Sequence, residues 1–204
     1  MDITTSNVGI AKDIIMSIAA CFTAGVAYSG LHKWKKELRG KIDFDTAHAL
    51  IKATYKVRDE LRYARSSFIP AHEFPKDYDH LEKSSKKAGD AFAYVYSNRM
   101  KHVFDATQDF DIRALEADAL WGNEIKEHTQ EFRSCCSHLN ISIETYVRNI
   151  YSGNEHFKAD DKFKKEIMQD IWVSSKNDDP LSIKIHDTIT HIELTIRPSF
   201  VNNE

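Results

Sequence analysis

Between Ile14 and Leu31 the chain reads IIMSIAACFTAGVAYSGL, 18 residues without a charged side chain. As a helix this segment covers about 27 Å, close to the hydrocarbon thickness of a bilayer. A run so apolar leaves water in one of three ways: it crosses a membrane, it is cleaved off as a leader, or it becomes the core helix of a folded domain. The flanks discriminate between them. Downstream, HKWKKELRGK sets Lys33, Trp34, Lys35, Lys36 and Arg39 against the end of the segment, whereas Lys12 is the one cation in the thirteen residues before it. Lysine and arginine beside a span resist translocation, and tryptophan settles at headgroup level. Gly25-Val26-Ala27 has the small-x-small form of a leader cleavage site, but the cationic belt opposes export of the chain beyond it. The pattern predicts a short extracytoplasmic tail over 1–13, a transmembrane helix over 14–31 and a cytoplasmic region over 32–204.

One face of the predicted span is unusually small. Ser17, Cys21, Gly25 and Ser29 recur every four residues, the spacing that lets two membrane helices approach backbone to backbone. These four residues are the expected helix–helix interface. Lys33, Trp34, Lys35, Lys36 and Arg39 are the expected interfacial anchor. The lipid bilayer and a second copy of the chain are therefore the first partners to look for.

The remaining sequence is helical in pattern. Seven glycines and four prolines punctuate 204 residues, and Pro70, Pro75 and Pro180 fall in two short zones, which leaves long uninterrupted stretches. Gly40 offers a place for the anchor helix to end and Asp43 a fresh N-cap. Apolar positions then return at Ala47, Leu50, Thr54, Val57, Leu61, Ala64 and Phe68, a 3–4 alternation. Residues 66–78 contain both Pro70 and Pro75 and form a connector. A second stripe runs through Leu81, Ser85, Ala88, Phe92, Val95, Arg99 and His102, and Asp109-Phe110-Asp111 is open to either a break or a continuation. A third stripe, Thr129, Phe132, Cys136, Leu139, Ile143, Tyr146 and Ile150, closes at Gly153 and is expected to be the longest and most acidic helix. Phe163, Ile167 and Ile171 mark a short helix. Asn177-Asp178-Asp179-Pro180 leads into a last one, striped by Leu181, Ile185, Ile189, Ile192 and Ile196 and stopped by Pro198.

The fold class is thus all-α, with an N-terminal transmembrane helix followed by an antiparallel helical bundle with coiled-coil-like packing. Residues 31–65 hold ten Lys/Arg against five Asp/Glu, and residues 103–145 hold three against nine. That asymmetry suggests the basic first helix lying beside the acidic third.

Few residue groups suggest chemistry. Glu124, Glu127, His128 and Glu131 lie within about two helical turns, but the Glu-x-x-His of a carboxylate-bridged metal site needs an acid where Ile125 stands. The group reads as a solvated acidic face. Cys135, Cys136 and His138 lack the paired spacings of a zinc site, and His186 and His191, five apart, do not share a helix face. Lys52, Lys56, Arg58, Arg62 and Arg65, interleaved with Tyr55 and Tyr63, read as headgroup contact or an internal ion-pair lattice, because Asp45, Asp59 and Glu60 offset them; no nucleic-acid partner is expected. With no phosphate loop or nucleophile elbow, no catalytic residue, cofactor or metal site is assigned. Three cysteines, two of them adjacent, imply no disulfide framework.

Residues 30–65, GLHKWKKELRGKIDFDTAHALIKATYKVRDELRYAR, with EADALWGNEI and the closing ITHIELTIRPSF, resemble a group of uncharacterised bacterial proteins with one N-terminal span and a cytoplasmic helical region. The resemblance implies an inner-membrane location with the C-terminal region inside the cell, and carries no assigned activity. The expected function is a membrane-tethered, non-enzymatic interaction or scaffold module with an unknown cytoplasmic protein partner. The alternatives are a membrane-perturbing stress or phage-defence effector, and an enzyme whose site no motif betrays.

Overall fold

The computed structural model describes residues 3–79, 81–174, 176 and 178–201, with the side chains of 3–11, 13, 14 and 201 left aside. Met1 and Asp2 of the predicted tail and Asn177 of the predicted loop lie outside the described residues. The regular structure of the described chain is all helical, and no strand occurs in it.

Helix α1 runs from Ile3 to Ala64 without interruption. This corrects the expected break: Gly40 and Asp43 both sit inside the helix, because neither lacks a backbone donor and a single glycine costs only about 1 kcal/mol in a helix interior. Among the described side chains, none before Ala47 is buried. From Ala47 onward the expected stripe is buried at Ala47, Leu50, Thr54, Val57, Leu61 and Ala64, whereas Phe68, in the connector, is exposed.

The connector carries one 3₁₀ turn, Ala71–Glu73, and α2 spans Ser85–Trp121. Ser84 caps α2, its hydroxyl accepting from the Lys87 amide at 3.3 Å. The Asp109-Phe110-Asp111 stretch is passed through, for Phe110 is 1% exposed and meets Phe132 edge-on at 5.2 Å. Its burial inside a continuous helix outweighs the local capping tendency of the aspartates. Upstream the second stripe drifts: Leu81 and His102 are exposed, and Val103, Ala106, Phe110 and Ala117 continue the buried face.

Gly122 separates α2 from α3, Asn123–Tyr151. Its φ of 77° with ψ of −151° is a conformation that any Cβ would strain, so the sharp corner depends on glycine here. Helix α3 buries its expected stripe and stops at Tyr151, with Gly153 at a φ of 68° just beyond it, close to where the spacing predicted; it is shorter than α1 and α2, so the expectation that it is the longest is corrected. Two short helices, α4 (Glu155–Ala159) and α5 (Asp161–Ile171), lead to α6, Pro180–Ile196. Pro198 ends α6 and opens the single turn α7, Pro198–Val201.

Helix α1 packs chiefly on α2, with smaller contacts to α6 and α7, and α3 packs on α2, α5 and α6. The basic first helix therefore lies beside α2 and α6 rather than principally beside the acidic third. The physical reason is connectivity: the short Gly122 corner folds α3 onto α2, and α2 already occupies the buried stripe of α1. One continuous core joins these helices, and Tyr96, Phe110, Phe132 and Tyr146 are among its members.

Candidate functional site

The feature that stands apart from the core is the first half of α1. The apolar window that begins at Ile15 has a mean hydropathy of 1.3 and none of it is buried within the chain; by length and composition alone this helix suffices to cross a membrane. Ile15, Ile18, Phe22 and Tyr28 are each at least 64% exposed. This is not the core helix of the folded domain, since its apolar side chains touch nothing that would keep them from water.

Ser17, Cys21, Gly25 and Ser29 are all exposed along one face. A Cβ added at Gly25 would meet no atom within 4 Å, so the face is open to a partner. Two hydroxyls on this stretch are turned inward on their own backbone: Thr23 donates to the Ala19 carbonyl at 2.8 Å and Ser29 to the Val26 carbonyl at 3.0 Å. Such bonds reduce the cost of placing a hydroxyl in hydrocarbon. Beyond Leu31, Lys33, Trp34, Lys35, Lys36 and Arg39 are exposed, and Trp34 is 61% accessible.

At the other end of α1 two arginines are buried. Arg65 pairs with Asp179 and also donates to the Asp170 carbonyl at 2.6 Å, the Gln169 carbonyl at 2.9 Å and the Ser182 hydroxyl at 2.9 Å. One guanidinium thus ties together the last turn of α1, the end of α5 and the cap of α6. Arg99 grips Glu73 at 2.6 Å and the carbonyls of Ser66 and Phe68 at 2.8 and 2.9 Å, pinning the proline connector to α2. Sequence spacing places Arg65 in a basic strip and Arg99 in an apolar stripe, and neither pattern discloses these partners. Arg65 belongs to an internal ion pair, and the rest of that strip, Lys52, Lys56, Arg58 and Arg62, is exposed.

A cleft of about 680 Å³ lies between α1 and α6. Several of its polar groups are already engaged: Arg58 pairs with Asp59 at 2.8 Å and stacks on Tyr55, which lies outside the lining, and the Tyr55 hydroxyl donates to Glu193 at 2.7 Å. That hydrogen bond, with the nearby carboxylate, raises the Tyr55 phenol above its ordinary value, so it stays protonated. The cysteines are equally quiet. Burial pushes the Cys136 thiol up to about 11 and raises Cys135 as well, which leaves neither as a ready thiolate for metal or nucleophilic work.

The structure also joins residues that sequence spacing kept apart. His128 and Glu131 on α3 meet His191 on α6, a pairing that no local motif could reveal because the two helices are far apart in the chain. Glu124 and Glu127, their sequence neighbours, are exposed, as the reading of a solvated face expected. His138 instead contacts Asp170 at 2.9 Å.

No protein-family model, curated protein or solved structure matches this chain.

Proposed function

We propose that the chain is a membrane-tethered, non-enzymatic interaction module, held in the bilayer by residues 14–31 and presenting its helical domain on the cytoplasmic side of a bacterial inner membrane. The observation that carries this reading is the full exposure of an 18-residue apolar window on a helix that continues, unbroken, into a well-packed core. In water that window leaves a large apolar surface uncovered; transfer to lipid is the simplest way to cover it. The Lys33 to Arg39 belt orients the domain toward the cation-retaining side, with the N-terminus outside. Self-association along Ser17, Cys21, Gly25 and Ser29 follows from the smallness and openness of that face. In this reading the helices after residue 46 form an antiparallel bundle with coiled-coil-like packing that offers its surface to a cytoplasmic partner.

The test is fractionation of the full-length protein with carbonate washing, protease protection from each side, and oxidative crosslinking at Cys21. The expected result is a protein that stays in the membrane, is digested only from the cytoplasmic side, and yields a Cys21-dependent dimer that Gly25→Leu suppresses. Release by carbonate would overturn the anchor, and digestion of the C-terminal domain from outside would overturn the orientation.

A further inference from the structure

The geometry points to a divalent transition-metal site formed by His128, Glu131 and His191, of the kind that takes Zn²⁺, clamping α6 to α3. One coordinating atom from each of these three residues lies within 4.8 Å of the other two. Two imidazoles and one carboxylate are a ligand set suited to zinc and its first-row neighbours rather than to magnesium or calcium, which prefer all-oxygen shells.

Four observations converge on the site. His128 and Glu131 are three apart on α3, so one helix presents both on the same face. The third ligand comes from a separate element, since Lys184 of α6 reaches Ser134 of α3 at 3.2 Å and the two helices then run so that His191 comes opposite His128. The two imidazole rings lie 5.1 Å apart at a tilt of 39°, so the rings converge without stacking flat. Finally, His128 Nδ1 is buried and has no hydrogen-bond partner among the described residues. A buried ring nitrogen left unsatisfied is costly, and folded proteins rarely carry one without a partner or a purpose.

Donor atoms around a tetrahedral zinc, at bonds of about 2.0–2.2 Å, stand about 3.3–3.6 Å from one another. The three donor atoms here lie within 4.8 Å of one another, and the two side chains that can adjust to an ion, Glu131 and His191, are exposed. Because they are exposed, the fourth position faces solvent and is open to water. Loading the site would fasten the C-terminal helix to the middle of the domain, and it does not depend on whether α1 crosses a membrane.

The test uses the full chain in detergent, stripped with chelator and then titrated with Zn²⁺ against a chromophoric competitor, with Co²⁺ as a spectroscopic probe. One Zn²⁺ per chain is expected, with a Zn²⁺-dependent rise in melting temperature. His191→Gln and Glu131→Gln should each weaken binding by at least about tenfold and abolish that rise, while Cys135→Ser with Cys136→Ser leaves both intact. Because His191 and Glu131 are exposed, their variants retain the wild-type circular dichroism. The Co²⁺ form should show d–d absorption without thiolate charge transfer. Failure of the wild type to take up Zn²⁺, uptake undiminished in His191→Gln, or a thiolate band in the Co²⁺ spectrum would each overturn the assignment.

Discussion

Replacing Asp179 by Asn keeps the shape of the α6 cap but removes the negative charge paired with Arg65. Asp179 is 4% exposed and Arg65 1%, so neither charge has water to fall back on. Breaking a buried pair by neutralising one partner costs about 3–5 kcal/mol. Asparagine can still accept from the Ser182 amide, which Asp179 now binds at 2.8 Å, and this places Asp179→Asn near the lower end, about 3 kcal/mol. Arg65→Met is worse. It strands the carboxylate and also withdraws a charged donor from the carbonyls of Gln169 and Asp170, each such bond being worth about 1.5–3 kcal/mol, so about 5 kcal/mol is expected. The double variant carries no buried charge at this pair, and its loss should fall short of the sum of the singles by about 2–3 kcal/mol. For a domain of this size 1 kcal/mol moves the melting temperature by about 2–4 °C, so Asp179→Asn should melt roughly 6–12 °C below wild type.

The same pair predicts an acid-labile step. Burial acts to raise the Asp179 carboxyl, but the hydrogen bonds from Ser182 together with Arg65 outweigh it and hold the group below its ordinary value. A carboxyl depressed in the folded state contributes stability above its unfolded value, about 3.9, and loses it as the pH falls through the folded value. Wild-type stability should therefore drop steeply below about pH 4, and Asp179→Asn should flatten that drop. Thermal melts followed by circular dichroism from pH 7 to pH 3 read both effects. Strict additivity in the double variant, or a shift under about 2 °C in Asp179→Asn, would refute the reasoning.

Two further expectations concern packing. A Cβ at Gly89 would sit 2.5 Å from Tyr151 Cδ1 and Cε1 and 2.7 Å from Cγ, so Gly89→Ala should cost about 1–3 kcal/mol by overpacking and break the 2.7 Å bond from the Tyr151 hydroxyl to Asp90. In a Tyr151→Ala background the same change should become neutral or stabilising, because alanine outranks glycine in a helix by about 1 kcal/mol; an unchanged penalty there would locate the clash elsewhere. Glu73→Gln should free the proline connector from Arg99, and limited proteolysis should then cut within residues 66–79 faster than in wild type; equal cutting rates would mean that the Ser66 and Phe68 carbonyls suffice to hold the connector.

The helical stripes were legible because burial repeats with the helical period: Thr129, Phe132, Cys136, Leu139, Ile143, Tyr146 and Ile150 all lie in the core. So was the start of α6 at Pro180, for a proline suits the first turn of a helix, whereas the capping role of Asp179 appears only in the structure. What could not be read was set by tertiary contact. Gly40 and Asp43 carry the local marks of a helix boundary, yet α1 ignores them because nothing at that point pulls the chain aside. Arg65 and Arg99 belong at a surface by residue type, and only the convergence of helix-end carbonyls and carboxylates from distant segments explains their burial. The apolar run of α1 and the cations beside it were visible in the sequence, but that the rest of the chain leaves the run uncovered is a tertiary fact. The meeting of His128 and Glu131 with His191 depends on the relative placement of α3 and α6, which no local spacing encodes.

The absence of a joint at Gly40 makes α1 a single shaft between its exposed apolar end and the core. An α-helix advances about 1.5 Å and turns about 100° per residue. Whatever grips residues 15–31 therefore fixes the azimuth as well as the height of everything from Ala47 onward. Adding one residue to the shaft would swing the domain about 100° around its axis, and adding seven would return it to within about 20° of where it began. The direction in which the domain faces is thus counted out in residues along the shaft, not chosen by a hinge.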